Sequence, residues 1–254
     1  MMKNILITGS SGNLGSAIVK SGKFQNILTP SHKEMDIANK DSVRNFFQNN
    51  DFETVIHCAA IVRVGNSEEE ITKAINTNVI GTSNLVNEVL KKESEQGKKI
   101  RFIHISTDGV YSRAEGNYSE NSPTIPMNPY GWTKLAAESS VRLLKNFCII
   151  RTSFFNPDKL NFSEVPEDVY TSKMNVSDLV DAIKILFESD FVGTINVGNK
   201  KISNYNLYKK YIRDLKPVKL DDIKDSLPFE LPRDSSMDVS LWEKLKHEKG
   251  LHNL

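Results

Sequence analysis

Cysteine is scarce: Cys58 and Cys148 are the only two in 254 residues. Both lie in apolar runs that read as buried strands. They are expected as small core residues in a reducing compartment, not as a disulfide. No Cys/His cluster has zinc spacing, so no metal is expected. An excess of either charge is also missing. Lys and Arg (33) nearly balance Asp and Glu (32), for a formal charge of +1. No global field then draws nucleic acid or an anionic membrane, and any anion must be held by a few converging groups. No apolar run approaches the length of a membrane span. Met1-Met2-Lys3 leads straight into Ile5-Leu6-Ile7, which is too short for the apolar core of a signal peptide. The expected location is therefore cytoplasmic. Internal repeats and low-complexity tracts are absent as well.

What is present is a regular alternation. Short apolar runs at 4–8, 26–29, 54–60, 100–106 and 148–152 read as strands. Between them, 13–20, 40–49, 69–92 and 132–145 carry apolar residues at helical spacing. Such alternation predicts an α/β fold, a doubly wound parallel sheet with helices on both faces. Ligands of such sheets bind beyond the carboxyl ends of the strands. After Thr152 the pattern loosens. The stretch 154–170 is polar, 176–188 is an amphipathic helix, 194–197 a short strand and 205–214 a short helix. The stretch 215–236 holds Pro217, Pro228 and Pro232 and reads as loop, and 239–249 reads as helix.

The first strand ends in Thr8-Gly9-Ser10-Ser11-Gly12-Asn13-Leu14-Gly15, a GxxGxxG spacing between strand and helix. Gly9 permits a tight turn, Gly12 lets backbone N–H groups approach a pyrophosphate, and Gly15 lets the helix pack close to the sheet. Ser11, Asn13 and Leu14 complete this candidate phosphate cradle, at a helix end that carries partial positive charge. The fold is therefore read as Rossmann-type, with a dinucleotide-binding domain over 1–152. The remainder, 153–254, is read as a small C-terminal substrate-binding lobe interleaved with the last sheet elements. A binder of NAD places a carboxylate at the end of the second strand. Here that end reads Ser31-His32-Lys33, with no carboxylate before Glu34. These three residues suit a 2′-phosphate, which favours NADP(H) over NAD(H).

Pro129-Tyr130-Gly131-Trp132-Thr133-Lys134 contains a YxxxK spacing. Residues i and i+4 share one helix face. An ammonium there is expected to stabilise the phenolate and lower the tyrosine pKa toward working pH. Tyr130 then exchanges a proton with a substrate oxygen while hydride moves between the neighbouring carbon and the nicotinamide. The strand at 100–106 delivers Ser106-Thr107-Asp108 to its carboxyl end, and a Pro-rich lead-in at 123–129 stops before the helix. His57 is expected as a strand residue, and His104 as a histidine satisfied in the core. Trp132 and Trp242 are expected to pack. The Lys/Glu-rich stretch 91–99 is expected as a solvated helix end.

Taken together, the chain resembles an extended short-chain dehydrogenase and, within that group, the dTDP-4-dehydrorhamnose reductase-like (RmlD-like) sugar-nucleotide-binding family. The matching stretches are 8–15, Met35-Asp36-Ile37, 55–60, 76–82, 106–111 and 129–138, with Ile150-Arg151-Thr152 beyond. The resemblance implies catalytic roles for Thr107, Tyr130 and Lys134. It places Asp36 and Ile37 at the adenine, Ala59 and Ala60 along the cofactor, and Asn78 near it. Tyr130 and Lys134 would also touch the cofactor. Thr107, Asp108 and Arg233 are the implied substrate contacts.

The family's dehydratases carry Asp-Glu after the catalytic Thr, whereas this chain has Asp108-Gly109, and glycine cannot act as a base. The expected reaction is therefore reduction of a 4-keto nucleotide sugar, or its reverse. The alternatives are a sugar-nucleotide epimerase and a non-catalytic NADP-binding regulatory subunit. Leu231 stands where the family has an arginine, with Arg233 two residues on, and the stretch between Arg151 and Met174 is short. The resemblance also implies a homodimer through a four-helix contact.

Overall fold

The computed structural model describes residues 4–62, 65, 67–112, 115–226 and 231–248. The expected start at Met1-Met2-Lys3, Pro228 of the expected loop and Lys249 of the expected last helix lie outside the described residues. In chain order the first half forms β1 (Ile5–Thr8), α1 (Asn13–Lys20), β2 (Ile27–Leu28), α2 (Lys40–Asn49), β3 (Thr54–His57), α3 (Glu68–Ala74), α4 (Thr82–Gln96), β4 (Arg101–Ile105), α5 (Pro129–Val141) and β5 (Phe147–Thr152). The second half adds β6 (Phe154–Phe155), β7 (Glu164–Pro166), β8 (Tyr170–Thr171), β9 (Met174–Asn175), α6 (Val176–Phe187), β10 (Gly193–Val197), β11 (Ile202–Ser203), α7 (Asn204–Tyr208), β12 (Lys216–Val218), α8 (Leu220–Ile223) and α9 (Ser240–Glu248).

Six strands form one parallel sheet in the order β10-β5-β4-β3-β1-β2. The chain steps outward from β1 to β2, then crosses back to β3 on the other side of β1. That reversal opens a crevice beyond the carboxyl ends of β1 and β3, where open α/β sheets bind ligands. Parallel strands bury both faces, which is why these runs are apolar throughout. Ile7, Ile56, Ile103 and Ile150 share a core with Ile18 of α1 and with Leu179 and Ile183 of α6. Leu6, Val55, Phe102 and Ile149 form a second core with Phe47 of α2 and with Leu85 and Val89 of α4. Each such side chain contributes roughly 1.5–3 kcal/mol, so the strand ends that carry the site are held firmly. A smaller cluster of Phe155, Val165, Leu207, Tyr208 and Leu215 lies in the second half. Among the described residues no helix is long and apolar enough to cross a membrane.

Several expected boundaries move. The helix expected over 69–92 takes π geometry across Ile75–Gly81 before α4. There the Asn78 side chain bonds the backbone of Ile61, and a Cβ on Gly81 would lie 2.8 Å from Ile37 Cγ1. Contacts with two other segments set that geometry, not apolar spacing. The helix expected at 132–145 is α5, which starts at Pro129: Asn128 caps it, and a proline in the first turn has no N–H to satisfy. The strand expected to reach Ala60 ends at His57, so Cys58 lies just past β3 and is only half-buried, while Cys148 is buried in β5. The helix expected over 205–214 is confined to α7. The loop expected over 215–236 contains β12 and α8; β12 pairs with β7, a distant segment that local sequence does not reveal. Trp242 packs as expected, but Trp132 is 53% exposed.

Candidate functional site

The glycine turn is shaped by contact. Gly9 has φ +70°, and a Cβ there would come within 2.6 Å of Ala59 N. At Gly15 a Cβ would lie 2.2 Å from Gly9 O, and Gly12 N donates to Gly9 O at 3.0 Å. The turn therefore sits directly against Ala59, which like Ala60 is half-buried. Helices α2, α3, α5 and α6 each begin with a side-chain cap, from Asn39, Ser67, Asn128 and Asn175. Helix α1, with Gly12 at its N-cap, has no side-chain cap and no acid in its first turn. The leading N–H groups of Asn13, Leu14 and Gly15 have no partner within the helix, which suits an anion. Ser11, Gly12 and Asn13 are exposed there, while Leu14 and Gly15 are buried.

Beyond β2, Ser31 donates from both N and Oγ to Glu34 Oε2 at 2.7 and 2.8 Å. Those bonds hold the Glu34 carboxyl below its ordinary pKa. His32 Nε2 lies 3.4 Å from Asp36 Oδ1, and Lys33 is exposed. The Ser-His-Lys cluster thus carries two carboxylates of its own. Asp36 Oδ1 also accepts from Ala38 N at 2.9 Å. Ile37 is buried, with its carbonyl bonded to Asn84 of α4. Asn78 accepts from Ile61 N and donates to Ile61 O and to Thr133 Oγ1. It clamps the loop after β3 onto α5 and has little capacity left for a ligand.

Asn128 Oδ1 accepts from Gly131 N at 2.8 Å and fixes the start of α5, so Tyr130 sits in its first turn and Lys134 one turn deeper. A Cβ on Gly131 would lie 2.3 Å from Gly109 O, so only glycine lets α5 approach the turn that follows Thr107. Thr107 caps that turn by accepting from Gly109 N at 3.1 Å, and its hydroxyl lies 3.2 Å from Asp108 Oδ1. Asp108 is buried, and its Oδ2 has no partner. The Tyr130 phenol lies close enough to Thr107 for its hydroxyl to lower the phenol's pKa. The structure brings Thr107, Asp108, Tyr130 and Lys134 together at the carboxyl end of β4.

The electrostatics depart from expectation. Burial, reinforced by the Asp108 carboxylate, pushes the Tyr130 phenol up to about 12, against the Thr107 hydroxyl that lowers it. Lys134 does not depress the phenol. Its Nζ lies 3.2 Å from His104 Nε2, and burial brings the amine down to about 8, opposed by Glu138 and Cys58. His104 is not fully satisfied, because its Nδ1 has no partner. Burial and the Lys134 charge hold its imidazole well below its ordinary pKa. His57 bridges Thr8 Oγ1 at 2.6 Å and Thr82 Oγ1 at 2.9 Å, as a strand residue should, and burial lowers it to about 3.

Sequence reasoning assigned no role to the support beneath the site. Glu138, one turn beyond Lys134, accepts from Ser106 Oγ at 2.6 Å and from Arg151 at 3.0 and 2.8 Å. Arg151 donates to Tyr111 Oη at 2.9 Å, and Tyr111 donates to Asn196 Oδ1 at 2.9 Å. This buried network ties β4, α5, β5 and β10 together. The i, i+4, i+8 spacing of Tyr130, Lys134 and Glu138 was the available signal.

Arg233 is not placed as a clamp for diphosphate. It is exposed and already bonded to Asp168 at 2.9 Å and to Asp221 at 2.7 Å. Those carboxylates neutralise the guanidinium and raise its pKa. Two cavities, of about 390 and 410 Å³, lie beside the segment after β10 and α9, and none of the expected site residues lines them.

Comparison with known proteins matches residues 2–177 to the RmlD substrate binding domain family. A Bacillus subtilis spore coat polysaccharide biosynthesis protein, SpsK, is 30% identical over 222 residues, covering 80% of this chain and 76% of that protein. A dTDP-4-dehydrorhamnose reductase of Mycolicibacterium smegmatis is 33% identical over 159 residues, covering 61% of this chain and 46% of that one. The chain spans about half the length of most of the curated relatives it matches. The crystal structure of a Bacillus anthracis dTDP-4-dehydrorhamnose reductase in complex with NADP superimposes with a TM-score of 0.80. It covers 100% of both chains at 24% identity, a likeness of fold.

Proposed function

The chain belongs to the RmlD substrate-binding domain family, and from that premise we propose that it is an NAD(P)-dependent oxidoreductase that reduces the 4-keto group of a nucleotide-activated sugar. One observation carries the reading: Thr107 and Asp108, at the carboxyl end of β4, both act on the Tyr130 phenol, with Lys134 one turn deeper in α5. We place the division between the dinucleotide-binding part and the substrate lobe at residue 152.

The residues present fit a dinucleotide. A Cβ would fill the cradle at Gly9 and Gly15, and α1 has no cap of its own. Its leading N–H groups would hold the pyrophosphate, Asp36 and Ile37 the adenine end, and Ala59 and Ala60 the inner wall. When bound, the cofactor supplies hydride. NADP(H) is the preferred form in this reading, through His32 and Lys33. Glu34 and Asp36 oppose a 2′-phosphate, and the NADPH-to-NADH affinity ratio measures the balance.

Thr107 and Tyr130 orient the substrate oxygen, and Tyr130 gives it the proton. A phenol held near 12 is protonated at neutral pH, as a donor must be. Lys134, held by His104, would bind the cofactor rather than the phenol. Asp108 offers its open Oδ2 to a sugar hydroxyl. Gly109, next to it, supplies no base for water elimination, which disfavours dehydration.

The test is NADPH oxidation with a panel of 4-keto nucleotide sugars. Wild type should turn over one of them, and Tyr130→Phe should lose at least about 10²-fold in kcat while keeping its dinucleotide affinity. C4 inversion without net NADPH loss would instead mark an epimerase. An inert wild type that still binds dinucleotide would mark a binding subunit.

A further inference from the structure

The short stretch after β5 places a cation that meets no protein anion among the described residues. Pro157–Lys159 forms a 3-10 turn, set by Asn156 Oδ1 accepting from Asp158 N at 3.0 Å and by Lys159 N donating to Asn156 O at 3.0 Å. From this turn Lys159 Nζ reaches across to Asn13 Oδ1 at 2.5 Å. Asn13 is the first residue of α1, which has no side-chain cap and no acid in its first turn.

An ammonium at a helix N-terminus faces the positive end of the dipole, which is unfavourable for the protein alone. Elsewhere, Lys23, Lys184 and Lys219 are paired with Asp181, Glu188 and Glu167. Among the described residues Lys159 forms no ion pair, and its partner is a neutral amide. Two positive elements therefore converge on one point, and an anion between them would satisfy both.

We propose that Lys159 is a second cationic ligand for the dinucleotide pyrophosphate, delivered from the C-terminal segment, so that 156–160 straps the cofactor against α1. This rests on the dinucleotide reading of the glycine turn. Asn13 holds the amine in register until the phosphate oxygens take it.

The test is equilibrium binding of NADPH, NADH and ADP, followed by calorimetry, to wild type, Lys159→Ala and Lys159→Arg. Because the side chain is exposed, the thermal midpoint should be unchanged in both variants. Lys159→Ala should weaken all three ligands alike, by about tenfold, with the NADPH-to-NADH ratio preserved. Lys159→Arg should stay within about threefold of wild type. Wild-type affinity in Lys159→Ala would overturn the proposal. So would a loss confined to NADPH, which would place the amine at the 2′-phosphate. A wild type that binds none of the three would overturn the dinucleotide reading itself, and the strap with it.

Discussion

His57 and His104 lie fully buried beneath the crevice, with ring centroids 5.2 Å apart and Lys134 beside them. Both are held neutral by burial, His57 at about 3 and His104 well below its ordinary value. An imidazole depressed in the fold takes up a proton more readily when unfolded. Between its folded value and about 6.5 the unfolded state binds more protons, so stability rises with pH and is lost on acidification. The unfolding free energy from urea titration should therefore fall from pH 6.5 to pH 5, by on the order of 2 kcal/mol per histidine. His104→Gln should show a shallower decline, and an unchanged slope would refute the assignment. The other titratable and charged groups close to this pair are Lys134, Glu138 and Cys58. Tyr130 and Lys134 were legible in the sequence because their spacing is local, and Thr107 only through the family resemblance. The direction of the Tyr130 shift was not, since it depends on burial in the folded chain and on the Asp108 carboxylate. Arg233 shows the same limit: its two carboxylate partners come from positions 168 and 221.

At the scale of elements, the site is a matter of how closely α5 approaches the turn after β4. Gly131 permits it, because a Cβ would meet Gly109 O at 2.3 Å and Pro126 Cβ at 2.9 Å. Alanine is the better helix former by about 1 kcal/mol, so any loss in Gly131→Ala reports the forced separation. Stability should fall by about 1–3 kcal/mol, and kcat by about 10²-fold as Tyr130 moves off Thr107. Dinucleotide affinity should stay near wild type. Chemical denaturation and steady-state kinetics check both arms, and wild-type kcat would show that the approach is not needed. Strands β1, β3, β4 and β5 were readable as apolar runs, and α1 and α2 as periodic ones. The π segment Ile75–Gly81 was not, because Ile61 and Ile37 impose it from elsewhere in the chain. Nor was the β7–β12 pair, whose partners lie far apart.

For the whole molecule, the outer surface around the π segment, α4 and α5 leaves Ile75, Ile80, Leu90 and Trp132 exposed at 42, 43, 39 and 53%. We propose that two copies bury this surface as a four-helix contact. Sedimentation should report a dimer at micromolar concentration, and Leu90→Glu should weaken it by at least about tenfold, since a buried unpaired carboxylate is costly. A wild type that remains monomeric would refute the contact. The sequence by itself determined the alternation of elements, the glycine turn and the YxxxK face, because each arises from interactions a few residues apart. Only the tertiary structure decided which charges meet. It set Lys134 on His104, Glu138 on Arg151, Arg233 on two carboxylates and Lys159 on Asn13. The reason is physical: strand order and helix packing set the distances across the sheet, and Coulomb energy and desolvation depend on those distances, not on spacing along the chain.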